Sequence, residues 1–264
     1  MFSTTNDEKK LYYEVKGNYN AKETLVFLNG LSQSTIAWSF IIPYFEKDYK
    51  IVLLDFIFQG QSDKTGEVRD FDQHASDLLN LMDLLGLNKP ILVGLSYGSL
   101  VAQHYAVNFP ERLNKLILIS SFANKTPFYK AIELSWENAL KIGGYKHLLD
   151  VMLPYVLSDQ YFENPLIPIE ILKNAKTELI DPIALSKLMA ATAQRNDYRQ
   201  ELQRINTSTL VIHGELDLLF PIYMGKEIAN NVKNAKFVVI HDAGHTLNLE
   251  ATETVSKHIL QFIV

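Results

Sequence analysis

Short aliphatic runs punctuate the first half of the chain, and turn residues bound each of them. Four such runs precede residue 120: Thr24–Leu28, Lys50–Leu54, 90–93 and Lys115–Ile119. Runs this brief and this uniformly apolar predict strands that are buried on both faces, as in a parallel sheet. A further segment, residues 11–16, predicts an antiparallel strand at the edge of that sheet.

Helical patterns fill the gaps between these runs. Leucines recur on one face of residues 70–85, and Gly86 follows them, a residue that favours the end of a helix. A second helical pattern covers residues 98–108 and stops before Pro110. Strand, helix and strand in succession, joined by right-handed crossovers, indicate the α/β class.

The pattern changes between residues 122 and 205, where no strand is predicted. Four helical candidates crowd together there: residues 126–142, 145–157, 169–179 and 183–196. The alternation of predicted strands and helices then resumes, with strands at 209–212 and 236–240 and helices at 221–230 and 250–263. We therefore expect a core of residues 1–121 and 206–264, interrupted by a helical cap at 122–205.

A candidate nucleophile lies in the sequence Gly94-Leu95-Ser96-Tyr97-Gly98, which follows the third strand and opens a helix. A turn this sharp pushes its central serine out at the carboxyl edge of the sheet, and the two glycines leave room for neighbouring backbone. The helix N-terminus beside it can stabilise developing negative charge. Ser96 is therefore the candidate nucleophile.

A serine hydroxyl needs a base to take its proton, so a histidine should lie near Ser96. Of the seven histidines, His241 and His245 follow the last predicted strand. His245 is preferred because Gly244 gives the loop freedom to turn the imidazole toward the serine, and His241 is the alternative. Their spacing also suggests a metal-binding pair, but such a pair requires a helix, which Gly244 disfavours.

The carboxylate that orients the histidine should also follow a strand. Asp217 does so, after the first strand beyond the cap, and is the first choice. Glu215 and Asp242 are the alternatives. The chain order serine, aspartate, histidine is that of one among several folds that carry these three residues.

Acyl transfer passes through an oxyanion that two preorganised donors must stabilise. One donor is the backbone N–H of Tyr97. The second is expected in the loop after Thr24–Leu28, which begins Asn29-Gly30-Leu31. Gly30 permits unusual backbone angles there, and the N–H of Leu31 is the candidate donor, although Asn-Gly is also a common turn pair.

Composition excludes several other classes of function. The chain has 25 Lys and Arg against 30 Asp and Glu, a net charge of −5, which is the wrong balance for binding nucleic acid. It has no cysteine, so disulfides, thiolate zinc sites and iron–sulfur clusters are excluded. No apolar run reaches the ~20 residues of a membrane span, and the N-terminus lacks a signal-peptide core. We expect a cytoplasmic protein without metal, cofactor, nucleic-acid or membrane partners.

Taken together, five segments resemble the α/β-hydrolase-fold superfamily over nearly the whole chain. The segments are Asn29-Gly30, Asp55 with Gly60-Gln61-Ser62, Gly94-Leu95-Ser96-Tyr97-Gly98, Gly214-Glu215-Leu216-Asp217 and Gly244-His245. The resemblance implies a mostly parallel sheet with helices on both faces and an inserted helical cap that shapes the substrate pocket. It excludes the dehalogenase and epoxide-hydrolase branches, which use aspartate where this chain has Ser96.

Two details are similar to a narrower group within that superfamily. Most esterase-like members have His-Gly where this chain has Asn29-Gly30, and residues 244–250 read Gly-His-x-Leu-x-Leu-Glu. Both are similar to the hydroxyacyl transferases of rhamnolipid-precursor synthesis and to hydroxyacyl carrier-protein transacylases. The resemblance therefore implies, as a second possibility, a partner such as acyl-CoA or an acyl carrier protein.

Three functions remain open on the sequence. The first is serine hydrolysis of a small-molecule carboxylic ester or thioester, and the second is transfer of the same acyl group to an alcohol or thiol. The third is a ligand-binding protein that keeps the pocket without turnover. The cap is rich in large apolar residues, so we expect an apolar acyl pocket without a fixed charge. Its predicted lining is Phe122, Phe128, Trp136, Met152, Tyr155 and Met189.

Overall fold

The structure, a computed structural model that describes residues 1–174 and 180–264, is built on one sheet of eight strands. The strands are Phe2–Thr4 (β1), Lys10–Gly17 (β2), Thr24–Leu28 (β3), Lys50–Leu54 (β4), Ile91–Leu95 (β5), Lys115–Ile119 (β6), Ser208–Gly214 (β7) and Ala235–Ile240 (β8). Their spatial order is β1-β2-β4-β3-β5-β6-β7-β8. β1 and β2 run antiparallel to their neighbours, and the other pairs are parallel. The predicted mostly parallel sheet is confirmed.

The expectation that residues 11–16 form the edge strand is wrong. β2, which contains them, pairs with β4 on one side and with β1 on the other, so β1 is the edge. Phe2 of β1 lies beside Tyr12 of β2, with ring centroids 5.5 Å apart. A strand of three residues is too short to show alternation, so the sequence carries no periodic signal for β1.

Helices surround this sheet in the described residues. They are Phe71–Leu84 (α1), Tyr97–Asn108 (α2), Pro127–Val156 (α3), Asp159–Glu163 (α4), Ile169–Asn174 (α5), Pro182–Gln194 (α6), Arg199–Leu202 (α7), Ile222–Asn231 (α8), Leu247–Glu250 (α9) and Thr252–Ile263 (α10). α1 begins where the sequence predicts, because Asp70 and Gln73 form a reciprocal capping box at its first turn.

Both faces of the sheet are covered because its strands are apolar on both sides. In β3, Leu25 and Phe27 join one buried cluster, and Val26 and Leu28 join another. α10 and the 3₁₀ turn Thr35–Trp38 cover the first face, whereas α1, α2 and α8 cover the second. Full burial stabilises each such side chain by about 1.5–3 kcal/mol, which fixes the sheet between its two layers.

Residues 120–207, here called the β6–β7 segment, carry α3 to α7 and include the predicted cap at 122–205. The candidates at 126–142 and 145–157 form one helical run, α3, interrupted at Gly144, whose φ of 68° and ψ of −162° suit only glycine. The helix predicted over 169–179 begins at α5, and its residues 175–179 lie outside those described. Apolar side chains of this segment share one cluster with the sheet, so the segment packs directly on the core.

A buried polar chain joins the β6–β7 segment to α2. Arg195, which follows α6, donates from Nε to Nε2 of His104 (3.2 Å) and from a terminal nitrogen to Gln103 (2.8 Å). Because arginine can only donate, Nδ1 of His104 carries the ring proton and donates to Asp72 (2.7 Å). Burial lowers the pKa of His104 to about 4, which keeps the ring neutral in this role.

No helix among residues 1–174 and 180–264 combines the length and the apolar composition that crossing a membrane requires.

Candidate active site

Ser96 lies at a strained turn between β5 and α2. Its φ of 51° and ψ of −114° place a non-glycine residue in a region that L-residues rarely adopt. The backbone holds it there, because the Ser96 N–H donates to the carbonyl of Ile119 at 2.9 Å and Ser99 donates back to the Ser96 carbonyl. The side chain is half-buried and lines a cavity at the carboxyl edge of the sheet.

The two glycines of this turn are required by close backbone contact. A Cβ on Gly94 would lie 2.6 Å from the carbonyl oxygen of Gly98. A Cβ on Gly98 would lie 2.3 Å from the Leu28 carbonyl oxygen and 2.7 Å from that of Asn29. The second contact joins the Ser96 turn to the loop after β3, where the second oxyanion donor is predicted.

His245 and Asp217 form a buried pair at the same cavity. Nδ1 of His245 lies 2.9 Å from Oδ2 of Asp217, and both side chains are almost fully buried. The other carboxylate oxygen accepts hydrogen bonds from the amides of Leu219 (3.0 Å) and Phe220 (2.8 Å). A carboxylate can only accept, so Nδ1 carries the proton and Nε2 is left free to accept one.

The alternative base, His241, and the alternative acids, Glu215 and Asp242, lie at the protein surface. His241 pairs with Glu215 at 3.0 Å, and both side chains are exposed. Asp242 is also exposed, with a φ of 56°, and accepts a hydrogen bond from Gln160. Of the candidates, the structure therefore brings together His245 and Asp217, the first choices from the sequence.

Leu31 and Tyr97, the predicted oxyanion donors, both line the cavity. Within residues 1–174 and 180–264, no carbonyl or side chain accepts a hydrogen bond from either amide. The Gly30 amide differs, because it donates to the side chain of Gln33 at 3.0 Å. The donor predicted at Leu31 is thus available, and the neighbouring amide is not.

The side chain of Asn29 stabilises this loop by hydrogen bonds. The side chain is fully buried, donates to the Leu54 carbonyl at 2.7 Å, and accepts from the indole of Trp38 at 2.9 Å. Gln59 adds a second support, donating to the carbonyls of Gly30 (2.8 Å) and Leu31 (3.0 Å). These bonds fix the direction of the Leu31 amide.

The side chain of Asp55 contacts the Gly60-Gln61-Ser62 segment, and these contacts account for the residues found there. Its carboxylate accepts from the amides of Thr35 and Gln61, both at 2.8 Å, and from Asn29 at 3.2 Å. A Cβ on Gly60 would lie 2.0 Å from that carboxylate. Burial raises the pKa of Asp55, while these hydrogen bonds oppose the shift. The segment therefore ties the ends of β3 and β4 together.

The cavity has a volume of about 530 Å³ and is mostly apolar. Three of the predicted pocket residues line it: Phe122, Trp136 and Met152. Among the described lining residues there is no Asp, Glu, Lys or Arg.

The other three predicted pocket residues are corrected. Phe128 is 59% exposed, because it is at the solvent side of α3 and Tyr129, one position later, turns inward instead. Tyr155 and Met189 are half-buried, pack against the hydrophobic cluster, and do not belong to the described cavity lining. The inward face of α3 repeats at Tyr129, Ile132 and Trp136, a spacing that could have excluded Phe128.

A family model described as alpha/beta hydrolase fold matches residues 23–140 and 180–252. The chain belongs to the alpha/beta hydrolase fold family. The fold class and the resemblance predicted from the sequence are thereby confirmed. Both matched ranges contain candidate site residues: Leu31 and Ser96 lie in the first, and Asp217 and His245 lie in the second.

Similar proteins are found over nearly the whole chain. The protein named uncharacterized hydrolase YugF, from Bacillus subtilis, is 26% identical over 98% of this chain and 96% of its own length. The 2-hydroxy-6-oxononadienedioate/2-hydroxy-6-oxononatrienedioate hydrolase of Burkholderia vietnamiensis is 27% identical over 97% of this chain and 91% of its own. A thermophilic esterase from Thermogutta terrifontis has a TM-score of 0.88 at 25% identity, covering 99% of this chain and 96% of that structure. These relatives place the chain in a family of enzymes.

One residue of this alpha/beta hydrolase that supports the candidate histidine was not predicted. Ser120, with a φ of 48°, donates from its hydroxyl to the His245 carbonyl at 2.7 Å. His213 of β7 is fully buried against Phe237, and burial lowers its pKa to about 4. The sequence gives no signal for the Ser120 contact, because it joins residues far apart in the chain.

No group of three or more His, Asp and Glu side chains suited to a metal ion occurs in the described part of this alpha/beta hydrolase.

Proposed function

We propose that this chain is a serine hydrolase that cleaves a carboxylic ester or thioester with an apolar acyl group through an acyl-enzyme on Ser96. One observation carries the proposal. The buried Asp217–His245 pair and the strained Ser96 turn open onto the same apolar cavity, next to two amides that have no acceptor within the described residues.

In the first step, the Ser96 hydroxyl oxygen attacks the carbonyl carbon of the substrate. Its proton passes to Nε2 of His245, because Nδ1 already holds a proton against Asp217. Asp217 stabilises the imidazolium, and the two amides that bind its second oxygen keep its carboxylate in place. The imidazolium then gives the proton to the leaving alcohol or thiol, and the acyl group stays on Ser96.

The tetrahedral intermediate places negative charge on the former carbonyl oxygen. The amides of Leu31 and Tyr97 are the donors for that oxygen, and the start of α2 adds its positive end. Gly98 keeps these two donors close to each other, because its lack of a side chain allows the Ser96 turn to contact the backbone of Leu28 and Asn29. Donors fixed before the reaction cost no reorganisation during it.

In the second step, an acceptor removes the acyl group. Water, deprotonated by His245 Nε2, attacks the ester carbonyl, and the proton returns to the Ser96 oxygen as the acid leaves. An alcohol or thiol in the place of water would give acyl transfer with the same residues. Hydrolysis and transfer therefore share the acyl-enzyme and differ only in the acceptor.

The cavity favours an uncharged acyl group. The Burkholderia relative is named for a dioate substrate, an acid with two carboxylates. Among the described residues, the cavity lining of this chain offers neither Lys nor Arg to pair such a group. The buried Arg195 is not part of that lining and is engaged by His104, Gln103 and the Ala123 carbonyl. A desolvated carboxylate without a partner is costly, so an apolar acyl chain fits better.

A series of p-nitrophenyl esters from acetyl to hexanoyl tests the proposal. Each buried methylene is worth about 0.8 kcal/mol, so kcat/KM should rise about three- to fourfold per carbon until the cavity is full. Constants that are flat or fall along the series would contradict the apolar pocket. The same series with an added alcohol or thiol measures acyl transfer. Product that forms only when the acceptor is present would show that the chain is a transferase and not a hydrolase.

A matched pair of esters separates an apolar from a dicarboxylic substrate. The p-nitrophenyl ester of hexanoic acid and the mono-p-nitrophenyl ester of adipic acid have acyl chains of equal length, and only the second ends in a carboxylate. We expect kcat/KM to be at least about tenfold lower for the adipyl ester. Equal or inverted constants would contradict the proposed substrate class.

A further inference from the structure

Glu250 accepts hydrogen bonds from three backbone amides that lie around His245. Its Oε2 accepts from Gly244 and from Ser158, both at 3.0 Å, and its Oε1 accepts from Thr246 at 3.3 Å. Gly244 and Thr246 are the residues on either side of His245. One carboxylate thus holds both flanks of the candidate base.

Capping of α9 does not account for this arrangement. Thr246 is the N-cap of α9 and Glu250 is the fourth residue of that helix, so the bond from the Thr246 amide is local to its first turn. Gly244 lies before that helix, and Ser158 lies in the β6–β7 segment at the start of α4. Two of the three bonds therefore lead away from α9, to the loop and to the segment above it.

The opposite side of the loop is fixed independently. The His245 carbonyl accepts from the Ser120 hydroxyl at 2.7 Å and from the Leu247 amide at 3.0 Å. Ser120 directly follows β6, and these two bonds do not involve Ser158. The loop is therefore held at two separate places, by Ser120 where the β6–β7 segment leaves the sheet and through Glu250 by Ser158 at the start of α4.

The loop and the segment are also in direct contact. Thr246 donates to the Val156 carbonyl from its hydroxyl (2.8 Å) and from its amide (3.1 Å). A Cβ on Gly244 would lie 2.7 Å from the Ser158 nitrogen and 2.9 Å from Glu250 Oε1. Glycine is thus needed at 244 so that the carboxylate and the Ser158 amide can approach the loop.

We propose that Glu250 is a positioning residue that fixes the His245 imidazole and makes its position depend on how the β6–β7 segment is seated. This inference rests on the proposed function, because it assigns His245 the role of base. Charge-assisted bonds from three amides hold the carboxylate in one place. If the Ser158 bond is lost, the carboxylate can move, and both flanks of His245 move with it.

The first test is Glu250→Gln, with Glu253→Gln as the matched control. Glutamine has the same shape, but its amide nitrogen would face a backbone N–H, so at least one of the three bonds is lost. We expect kcat to fall about 10- to 100-fold with KM within about twofold, because a displaced base affects the chemical step. Glu253 is exposed and pairs only with Lys257 among its described contacts, so Glu253→Gln should behave as the parent protein.

A role in stability alone would give a different result. Glu250→Gln would then lower the melting temperature, while the folded protein kept its kcat and its rate of fluorophosphonate labelling at Ser96. Circular dichroism below the melting transition establishes the folded fraction before kcat is measured. A folded Glu250→Gln protein with kcat within about twofold of the parent would overturn the inference.

The second test removes the Ser158 donor. Ser158→Pro deletes the amide proton at a residue whose φ of −72° suits proline, and Ser158→Ala removes only the hydroxyl that caps α4. We expect kcat to fall about tenfold in Ser158→Pro and to stay within about twofold in Ser158→Ala. Combined with Glu250→Gln, the proline should have little further effect, because both changes break the same link. Independent, multiplying effects would contradict the dependence on the segment.

A readout without turnover separates this inference from the proposed function. The His245 Nδ1 proton, held by Asp217, should give a low-field proton NMR resonance that disappears in His245→Ala. We expect Glu250→Gln to shift or broaden this resonance and Glu253→Gln to leave it unchanged. An unchanged resonance in Glu250→Gln overturns the inference, whereas a parent protein that hydrolyses no ester and is not labelled at Ser96 overturns the proposed function.

Discussion

The turn that carries Ser96 and the loop that carries His245 meet at one cavity, but they are held by different means. Ser96 is held by backbone: it lies between the end of β5 and the start of α2, its amide donates to the Ile119 carbonyl, and two glycines permit close backbone contact. His245 is held by hydrogen bonds to side chains, with Ser120, far away in the sequence, on one side and Glu250, of the helix that follows, on the other.

This difference determines how each half should respond to mutation. In the Ser96 turn, the backbone geometry leaves no space, so a single added methyl group should displace several atoms at once. In the His245 loop, each support is one or two hydrogen bonds, and removal of one leaves the others in place. We therefore expect abrupt losses on the nucleophile side and graded losses on the histidine side, with the buried Asp217 as the exception.

Asp217→Asn should give the largest loss of activity. An asparagine amide can face Nδ1 of His245 with a donor, which reverses the tautomer and removes the charge that stabilises the imidazolium, so kcat should fall by up to about 10⁴-fold. The measurement is kcat for a p-nitrophenyl ester. Asp242→Asn is the control and should be nearly silent, because Asp242 is exposed and its positive φ suits asparagine. The reverse order of the two effects would contradict the assignment of the acid.

Gly98→Ala should distort the turn that carries Ser96. The new methyl group would lie 2.3 Å from the Leu28 carbonyl oxygen, so the Ser96 turn and the oxyanion loop must separate. We expect kcat to fall at least about 100-fold, together with a lower melting temperature. Gly86→Ala is the control: Gly86 has a positive φ of 64°, which an alanine adopts at a cost of about 1 kcal/mol, but no atom lies within 4 Å of the new carbon, so kcat should be unchanged. Equal effects on kcat would show that packing at Gly98 does not position the site.

The same difference explains how much of the site the sequence predicts. The Ser96 turn is encoded within five consecutive residues, so its context between a strand and a helix is readable directly. Asp217 and His245 are found because acid and base must follow strands of the same sheet. Ser120 and Ser158 come close to the His245 loop only after the chain has folded, and no periodicity or motif marks such contacts.

The fold shows a similar limit. Strands buried on both faces have a strong apolar signal, and β3, β4 and β6 begin and end at the predicted residues. β1 has three residues and no signal, so the edge of the sheet was assigned to β2. In α3, hydrophobicity alone selects Phe128, whereas the position of a side chain around the helix decides that Tyr129 faces the cavity. Composition identifies an apolar pocket, and only packing identifies its lining.

Ser120→Ala should give a graded loss on the histidine side. It removes the hydroxyl that donates to the His245 carbonyl, while the Leu247 amide and Glu250 still hold the loop. We expect kcat to fall about tenfold with little change in KM. Ser121→Ala, at the adjacent position, removes a hydroxyl that bonds Ser99 and Gln103 and provides the comparison. A loss from Ser120→Ala as large as that from Asp217→Asn would contradict the graded response.

The smallest effect at neutral pH concerns His74, which packs against Tyr97 beneath the Ser96 turn. Neither ring nitrogen of His74 has a partner among the described residues, and burial lowers its pKa from 6.5 to about 3. A pKa lowered by folding gives stability that is present above pH 6.5 and is lost as the pH falls toward 3. Between pH 8 and pH 5 this group should cost about 2 kcal/mol of unfolding free energy.

Denaturant unfolding at the two pH values checks this expectation. His74→Phe keeps an aromatic ring in the same packing and has no titrating group, so the difference between pH 8 and pH 5 should shrink by about 2 kcal/mol. His241→Gln is the control, because His241 is exposed, and it should leave the difference unchanged. A difference that is the same in His74→Phe and in the parent would contradict the stated cause.

Covalent labelling tests the central claim, that Ser96 is the nucleophile of this site, most directly. The protein is treated with a fluorophosphonate, and the adduct is located by mass spectrometry of the intact chain and of its peptides. We predict a single adduct on Ser96, because only a serine paired with a base is strongly nucleophilic, and no adduct in Ser96→Ala. An adduct that survives Ser96→Ala, or that lies on another serine of the folded parent protein, would contradict the account.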